Sequence, residues 1–197
     1  WQDELGKSAL FSVYVSWPNS VRESFLVNKW ICHVLSTTLP RMVQYKWPND
    51  MMVGTKKLGG MLIENRWEGG RISSSIIGIG INVKHSQDQL PRAISLEEIG
   101  LDITADEVIE EILTAMDAAV RWVNNRKLLD KRYKDVLWGR TTEYSYTTRK
   151  GEIFEAVVMG VDNAGRVLLQ TKKGQMRAFD IDGIRWVDFQ GAFSFFG

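Results

Sequence analysis

The stretch Lys46-Trp47-Pro48-Asn49-Asp50 constrains this chain more than any other five residues in it. The proline ring fixes φ, removes a backbone donor and holds Trp47 extended, so a strand arriving from Tyr45 has to end there and turn. That turn presents Asn49 and Asp50 at the rim of a sheet. Lys57 stands seven residues beyond Asp50, followed by Leu58-Gly59-Gly60 and the apolar run Met61-Leu62-Ile63. A hairpin between the two segments folds the lysine back toward the carboxylate. Glycine weakens a strand, and its usual compensation is close approach by another backbone or by a ligand. Gly78-Ile79-Gly80-Ile81-Asn82 repeats that device and ends in a second carboxamide.

The surrounding pattern is α+β. Residues 10–15 read as a buried strand that stops at the Trp17-Pro18-Asn19 turn signal, after which Ser20 caps a helix carrying Phe25, Leu26, Trp30, Ile31, Val34 and Leu35 as far as Pro40. Residues 42–45, 51–53, 58–65 and 75–83 are strand candidates, with Gly54-Thr55-Lys56 as a hairpin turn. Thr104 caps a long amphipathic helix through Val108, Ile112, Met116 and Val123, and a second helical stretch spans about residues 127–138. From Glu143 the character changes to five short strands, punctuated by Lys150-Gly151, Asp162-Asn163-Ala164-Gly165, Lys173-Gly174 and Asp182-Gly183. That spacing predicts a small closed barrel of the SH3-like kind. Two domains are expected, residues 1–140 and 141–197.

Charge and cysteine usage narrow the function classes. The 25 basic and 24 acidic residues are spread along the chain for a net charge of +1, with no basic run to track a phosphate backbone, so no nucleic-acid partner is expected. The single cysteine, Cys32, excludes an internal disulfide and a multi-cysteine zinc site. No apolar run approaches the ~18 residues of a membrane span and no signal peptide is visible, so the expectation is a cytoplasmic protein without a membrane partner. The first residue is Trp1 and the first methionine Met42, already inside a patterned region, so the sequence is expected to lack its natural beginning. Cys32 and His33 read as packing within the apolar helix, His85 as a solvated loop residue, and the aromatic tail over 189–196 as packing or a frayed end.

Taken singly, the motif pieces have ordinary readings: a turn, a solvated lysine, a bulge. Together they put a carboxylate, a cation, two carboxamides and bare backbone on one rim, the inventory for a nucleotide phosphate bound with magnesium. The Gly-x-x-x-x-Gly-Lys-Ser/Thr phosphate loop and the dinucleotide fingerprint are both absent from the sequence.

Lys46-Trp47-Pro48-Asn49-Asp50, then Lys57-Leu58-Gly59-Gly60-Met61-Leu62-Ile63-Glu64, then Gly78-Ile79-Gly80-Ile81-Asn82 resembles the motif series of the biotin protein ligases, in the family's order and at its intervals. Leu10-Phe11-Ser12 resembles the strand after that family's biotin-binding loop, and the terminal strands resemble its small C-terminal domain. The resemblance covers essentially the whole chain. It implies a class II synthetase-like biotin/lipoate ligase fold, a central mixed or antiparallel sheet with helices, followed by the SH3-like barrel.

It also implies a two-step reaction. Biotin and Mg-ATP give biotinyl-5′-adenylate and pyrophosphate, and a lysine of a biotin carboxyl carrier domain then attacks the mixed anhydride. In that reading Lys57 lies between the biotin carboxylate and the α-phosphate, and Asp50 holds Mg2+ or hydrogen-bonds the adenylate. Asn49 and Asn82 suit adenine edges or metal contacts, which makes Asp50 and Asn82 the metal candidates. Gly59, Gly60, Gly78 and Gly80 let backbone amides close on biotin and phosphate, and Met61 and Leu62 line the apolar slot for the valeryl tail. A homodimer is compatible with the resemblance. Lipoate protein ligase, on the same fold, and a non-catalytic biotin- or carrier-binding protein are the alternatives; Trp-Pro-Asn-Asp followed by Lys-Leu-Gly-Gly and the C-terminal strands favours biotin. Two departures stand out: the family's Gly-Arg-Gly-rich segment falls upstream of Trp1, and Pro91-Arg92-Ala93 occupies the place where some members carry an aromatic adenine lid, leaving Arg92 as a weak substitute.

Overall fold

Apolar alternation along the two longest strands organises the first part of the molecule. The computed structural model describes residues 6–85 and 92–187, and the chain divides into two units, Trp1–Val136 and Leu137–Gly197. In the first, β1 (Ser8–Val21), β2 (Val43–Lys46), β3 (Asp50–Val53), β4 (Lys56–Glu68) and β5 (Arg71–Asn82) form one sheet in the order β1-β5-β4-β3-β2. Every ladder in it is antiparallel. Of the two sheet types anticipated, the mixed one drops out: among the described residues the sole parallel contact outside the strands is the isolated bridge Lys57↔Ala93. Gly69 and Gly70, at φ of 57° and 73°, supply the left-handed backbone that a two-residue turn between β4 and β5 requires.

Successive side chains of a strand leave opposite faces of the sheet. Ile77, Ile79, Ile81 and Met61 share one face and are buried beneath α1 (Ser24–Thr38), α2 (Ala105–Ala119) and α3 (Arg126–Val136). The other face carries Leu10, Tyr14, Leu62 and Ile76, all exposed. The helices are tied to one another as well as to the sheet. Trp30 on α1 donates its indole N–H to the Ala119 carbonyl at 2.8 Å, and Lys29 on α1 meets Asp130 on α3 at 2.7 Å. Thr104 and Glu107 form the full capping box at the start of α2 that the sequence predicts.

The start of the chain differs from expectation. β1 does not stop at Trp17-Pro18-Asn19 but continues to Val21, and its register against β5 jumps between Ser16↔Ser74 and Val21↔Ile72. The turn signal is absorbed as an irregularity in an edge strand, where a proline leaves no ladder partner unsatisfied. Ser20 is consequently not the helix cap; that position belongs to Glu23, with no side-chain capping bond.

The second unit is all β. β6 (Tyr144–Thr148), β7 (Ile153–Val161), β8 (Val167–Thr171), β9 (Met176–Phe179) and β10 (Ile184–Val187) form an antiparallel sheet in the order β10-β6-β7-β8-β9, the small five-stranded domain anticipated from the turn spacing. Trp138 stacks on Tyr144 with ring centroids 4.0 Å apart, and Trp186 meets Trp138 edge-on, giving this unit its own aromatic core. The aromatic tail over 189–196 lies outside the described residues.

Candidate functional site

The turn at Trp47-Pro48-Asn49 pairs Lys46 directly with Asp50 across β2 and β3. Asp50 pairs in turn with Gly60, Gly60 with Gly80, and Gly80 with Leu10, so one cross-strand row runs through all five strands. Residues directly opposite in a ladder point to the same side. This row therefore lies on the face away from the buried isoleucines, and the next row inward is Leu62, Gly78 and Ser12. Three glycines at the centre leave a floor of bare backbone. Leu10, Ser12 and Leu62 bound this trough on its apolar side, and Lys46 and Asp50 bound it on its charged side.

The charged side is built around one ion pair. Lys57 Nζ lies 2.5 Å from Asp50 Oδ1, with the carboxylate buried and the lysine half exposed. The β3–β4 hairpin brings them together, as the seven-residue spacing predicts. Lys46 is 7% exposed, and its pKa falls to about 8: burial is the main cause, Lys57 and Arg92 add to it, and Asp50 opposes it. Lys46 thus lies in the fields of Lys57, Arg92 and Asp50 together, and cations gathered in a partly dry setting favour an approaching anion.

Arg92 is brought there by backbone bonds. Lys57 N–H donates to the Arg92 carbonyl at 2.7 Å and Ile94 N–H to the Lys57 carbonyl at 2.9 Å, so residues 92–94 lie beside the start of β4. Leu96 N–H donates to the Asn82 carbonyl at 3.0 Å, and Asn82 Nδ2 to the Ile94 carbonyl at 3.1 Å.

Titration of Lys46 has a measurable consequence. Its folded-state pKa lies below the unfolded value, so the unfolded chain binds more protons between about pH 8 and pH 10.5, and stability rises with pH across that window. Lys46→Met removes the titrating group. Its stability relative to wild type should fall by on the order of 2 kcal/mol between pH 8 and pH 10, read from denaturant unfolding at each pH. Parallel curves for the two proteins would show that Lys46 keeps an ordinary pKa.

The remaining sequence-predicted residues divide by the face they occupy. Met61 and Leu62 cannot line one slot together: Met61 is buried opposite Ile79 among the helices, and Leu62 stands exposed beside Gly78. Gly60, Gly78 and Gly80 floor the trough. Gly59 serves the strand pairing instead, because a Cβ there would sit 2.2 Å from the Gly80 carbonyl oxygen and 2.8 Å from Met51 Cε. Asn49 accepts Met61 N–H at its backbone carbonyl, while its side-chain Oδ1 is buried with no hydrogen-bond partner. Asn82 uses its amide donor to fasten residues 92–96.

Asp50 and Asn82, the expected metal candidates, have different partners in the structure: Lys57 for Asp50 and the Ile94 carbonyl for Asn82. Asp50 is engaged by Lys57 and interacts with Lys46, and among the described residues no cluster of three or more His, Cys, Asp or Glu exists. Sequence reasoning assigns no separate role to Lys46, although a three-residue turn pairs positions 46 and 50. Arg92 has no such local signal, because tertiary bonds from Lys57 place it. Cys32 is buried, as a packing role requires, and burial holds its thiol protonated well above the usual range.

The model of the biotin/lipoate A/B protein ligase family matches residues 27–82, the segment from α1 through the end of β5 that includes both hairpins. The chain is 32% identical over 158 residues to the bifunctional ligase/repressor BirA of Bacillus spizizenii, a match covering 70% of this chain and 44% of that protein. The same-named protein of Bacillus subtilis is 30% identical over 152 residues with the same coverage, so the chain spans less than half the length of these curated relatives. In fold it is similar to the biotin protein ligase from Aquifex aeolicus solved with biotin and ATP, with a TM-score of 0.68 at 21% identity, over 92% of this chain and 78% of that one. A Helicobacter pylori biotin acetyl coenzyme A carboxylase synthetase solved with biotinylated ATP matches at a TM-score of 0.53 and 18% identity, over 87% of this chain and 75% of that one. Over residues 27–82 the chain is similar to the biotin/lipoate A/B protein ligase family, and its fold is that of the biotin protein ligases.

Proposed function

We propose that the protein is an ATP-dependent biotin protein ligase, which joins the biotin carboxylate to the α-phosphate of ATP and passes the biotinyl group to a lysine of a biotin carboxyl carrier domain. The observation that carries this reading is the cross-strand row Lys46, Asp50, Gly60, Gly80 and Leu10 with Lys57 folded over Asp50. It sets an apolar-sided trough with a bare floor directly against a cation cluster. A ligand with an apolar body and an anionic end fits that combination, and the reaction has to bring two anions together.

Lys57 is the half-exposed cation at the junction. It neutralises the approach of carboxylate to phosphate and the charge that develops on the phosphoryl oxygens. Asp50, held in place by its buried position, orients Lys57. Lys46 and Arg92 supply the further positive charge that a triphosphate demands, and phosphate binding should draw Lys46 back toward its protonated form. The orphaned Asn49 Oδ1 is an acceptor for a ligand N–H. Magnesium, which accompanies ATP in such reactions, we assign to the phosphate oxygens and not to a cage of side chains.

Incubation with biotin and ATP, followed by mass spectrometry of the ligand fraction and of an added biotin carboxyl carrier domain, tests the whole scheme. Biotinyl-adenylate and a carrier heavier by one biotinyl group are expected. Carrier modification with lipoate in place of biotin would favour lipoate ligation, and binding of biotin without either product would favour a non-catalytic role.

The trough makes its own prediction. A Cβ on Gly60 would lie 3.5 Å from the Asn49 carbonyl and 3.7 Å from both Asp50 Oδ1 and Lys57 Cε, which is ordinary contact. Gly60→Ala should therefore fold with stability within about 0.5 kcal/mol of wild type yet obstruct the floor. Calorimetric titration should show biotin binding weakened by about ten-fold or more. Unchanged affinity would place biotin elsewhere.

A further inference from the structure

The turn that presents Asn49 and Asp50 is held from beneath by α1. Asn28 is a buried carboxamide on α1, whose other buried residues are all apolar except Lys29. Its Nδ2 donates to the Pro48 carbonyl at 2.9 Å. Its Oδ1 accepts from Cys32 Sγ at 3.6 Å, and burial keeps that thiol protonated, so the thiol remains a donor at any ordinary pH. With a donor at one end and an acceptor at the other, the amide has a single orientation. The ladder between β2 and β3 ends at Lys46↔Asp50, so the Pro48 carbonyl lies in the turn outside it, and the tertiary bond from α1 fixes it. One residue further on, the Asn49 carbonyl receives Met61 N–H from β4. The turn is therefore pinned at two consecutive carbonyls, once from the helix and once from the strand that carries Lys57.

A buried amide costs free energy unless its hydrogen bonds are made, and an apolar residue would fill this position on α1 without that cost. We propose that Asn28 is a positioning residue for adenylation, setting the Pro48 carbonyl and through it the placement of Asp50 and Lys57. This rests on the ligase reading above. Asn28 bonds to the Pro48 carbonyl and to Cys32, not to Asp50 or Lys57; it acts through the turn.

Asn28→Ala should lower kcat for biotin-dependent pyrophosphate exchange by on the order of ten- to a hundred-fold with the biotin KM nearly unchanged, since the trough is left intact. Asn28→Asp separates positioning from bulk packing. A buried carboxyl has a raised pKa; protonated, it donates to the Pro48 carbonyl as the amide does, and ionised, it faces that carbonyl acceptor to acceptor. The activity ratio of Asn28→Asp to wild type should therefore rise as pH falls from about 8.5 to about 6, while the ratio for Asn28→Ala stays flat. Cys32 on α1 and its electrostatic neighbours Tyr45 on β2 and Tyr133 on α3 are all kept protonated by burial over that range, and the Lys46 titration is common to both proteins.

Hydrogen exchange at the Met61 amide, which reports the Asn49 contact without any turnover, should be faster in Asn28→Ala than in wild type. Wild-type kcat in Asn28→Ala together with unchanged Met61 exchange would overturn the proposal, as would a pH-flat ratio for Asn28→Asp. Absence of exchange activity in the wild type would sink the ligase reading alone, and the Met61 measurement would still decide whether Asn28 holds the turn.

Discussion

Lys57→Ala should fold normally and lose adenylation by on the order of 10²–10³, the effect of removing one preorganised donor from a developing oxyanion. The lysine side chain is half exposed and lies at the rim, so its stem contributes little to packing. Asp50 keeps Lys46 as a charged neighbour in the variant, so the loss is not that of an abandoned buried carboxylate. The defect should be confined to the first step: supplied with preformed biotinyl-adenylate, the variant should transfer biotin to the carrier far better than it does from biotin and ATP. Single-turnover formation of adenylate separates these cases. A near-normal rate would reduce Lys57 to a surface charge paired with Asp50.

Gly59→Ala should do the opposite, damaging the fold before the chemistry. The methyl group would arrive 2.2 Å from a backbone carbonyl in the neighbouring strand, where no side-chain rotation relieves the overlap, so β4 has to separate from β5. A loss of about 3 kcal/mol is expected, a fall of roughly 6–12 °C in Tm for a chain of this size. The contrast with Gly60→Ala is the informative part. Adjacent glycines in one motif have different tasks because strand alternation sends them to opposite faces, one toward Met51 and the sheet interior, the other toward the ion pair. Equal thermal stability of the two variants would show that the Gly59–Gly80 approach is not as close as described.

The features legible in the sequence are those with a local cause. Pro48 ends β2 by its own geometry, the Lys57–Asp50 pairing follows from a short hairpin, and the Thr104 capping box is written in four consecutive residues. What escaped depends on partners far along the chain. Trp17-Pro18-Asn19 has the composition of a turn, yet pairing with β5 carries β1 past it as an irregular edge. Met61 and Leu62 look alike in an apolar run, and only the burial of Ile79 beneath the helices shows which of the two faces the core. Asn28 reads as a polar interruption of an apolar helix; its partner, the Pro48 carbonyl, is twenty residues away. Arg92 reaches the cation cluster through backbone bonds to Lys57 that no sequence spacing announces.

The reading of the trough and its ion pair as an adenylation site stands or falls on reversible formation of an acyl-adenylate. Exchange of labelled pyrophosphate into ATP measures that step alone, without a carrier domain. The label should enter ATP when biotin is present and not when it is withheld, and lipoate should support much less exchange than biotin. Exchange that proceeds equally without biotin, or equally with lipoate, would contradict the assignment of this site to biotin.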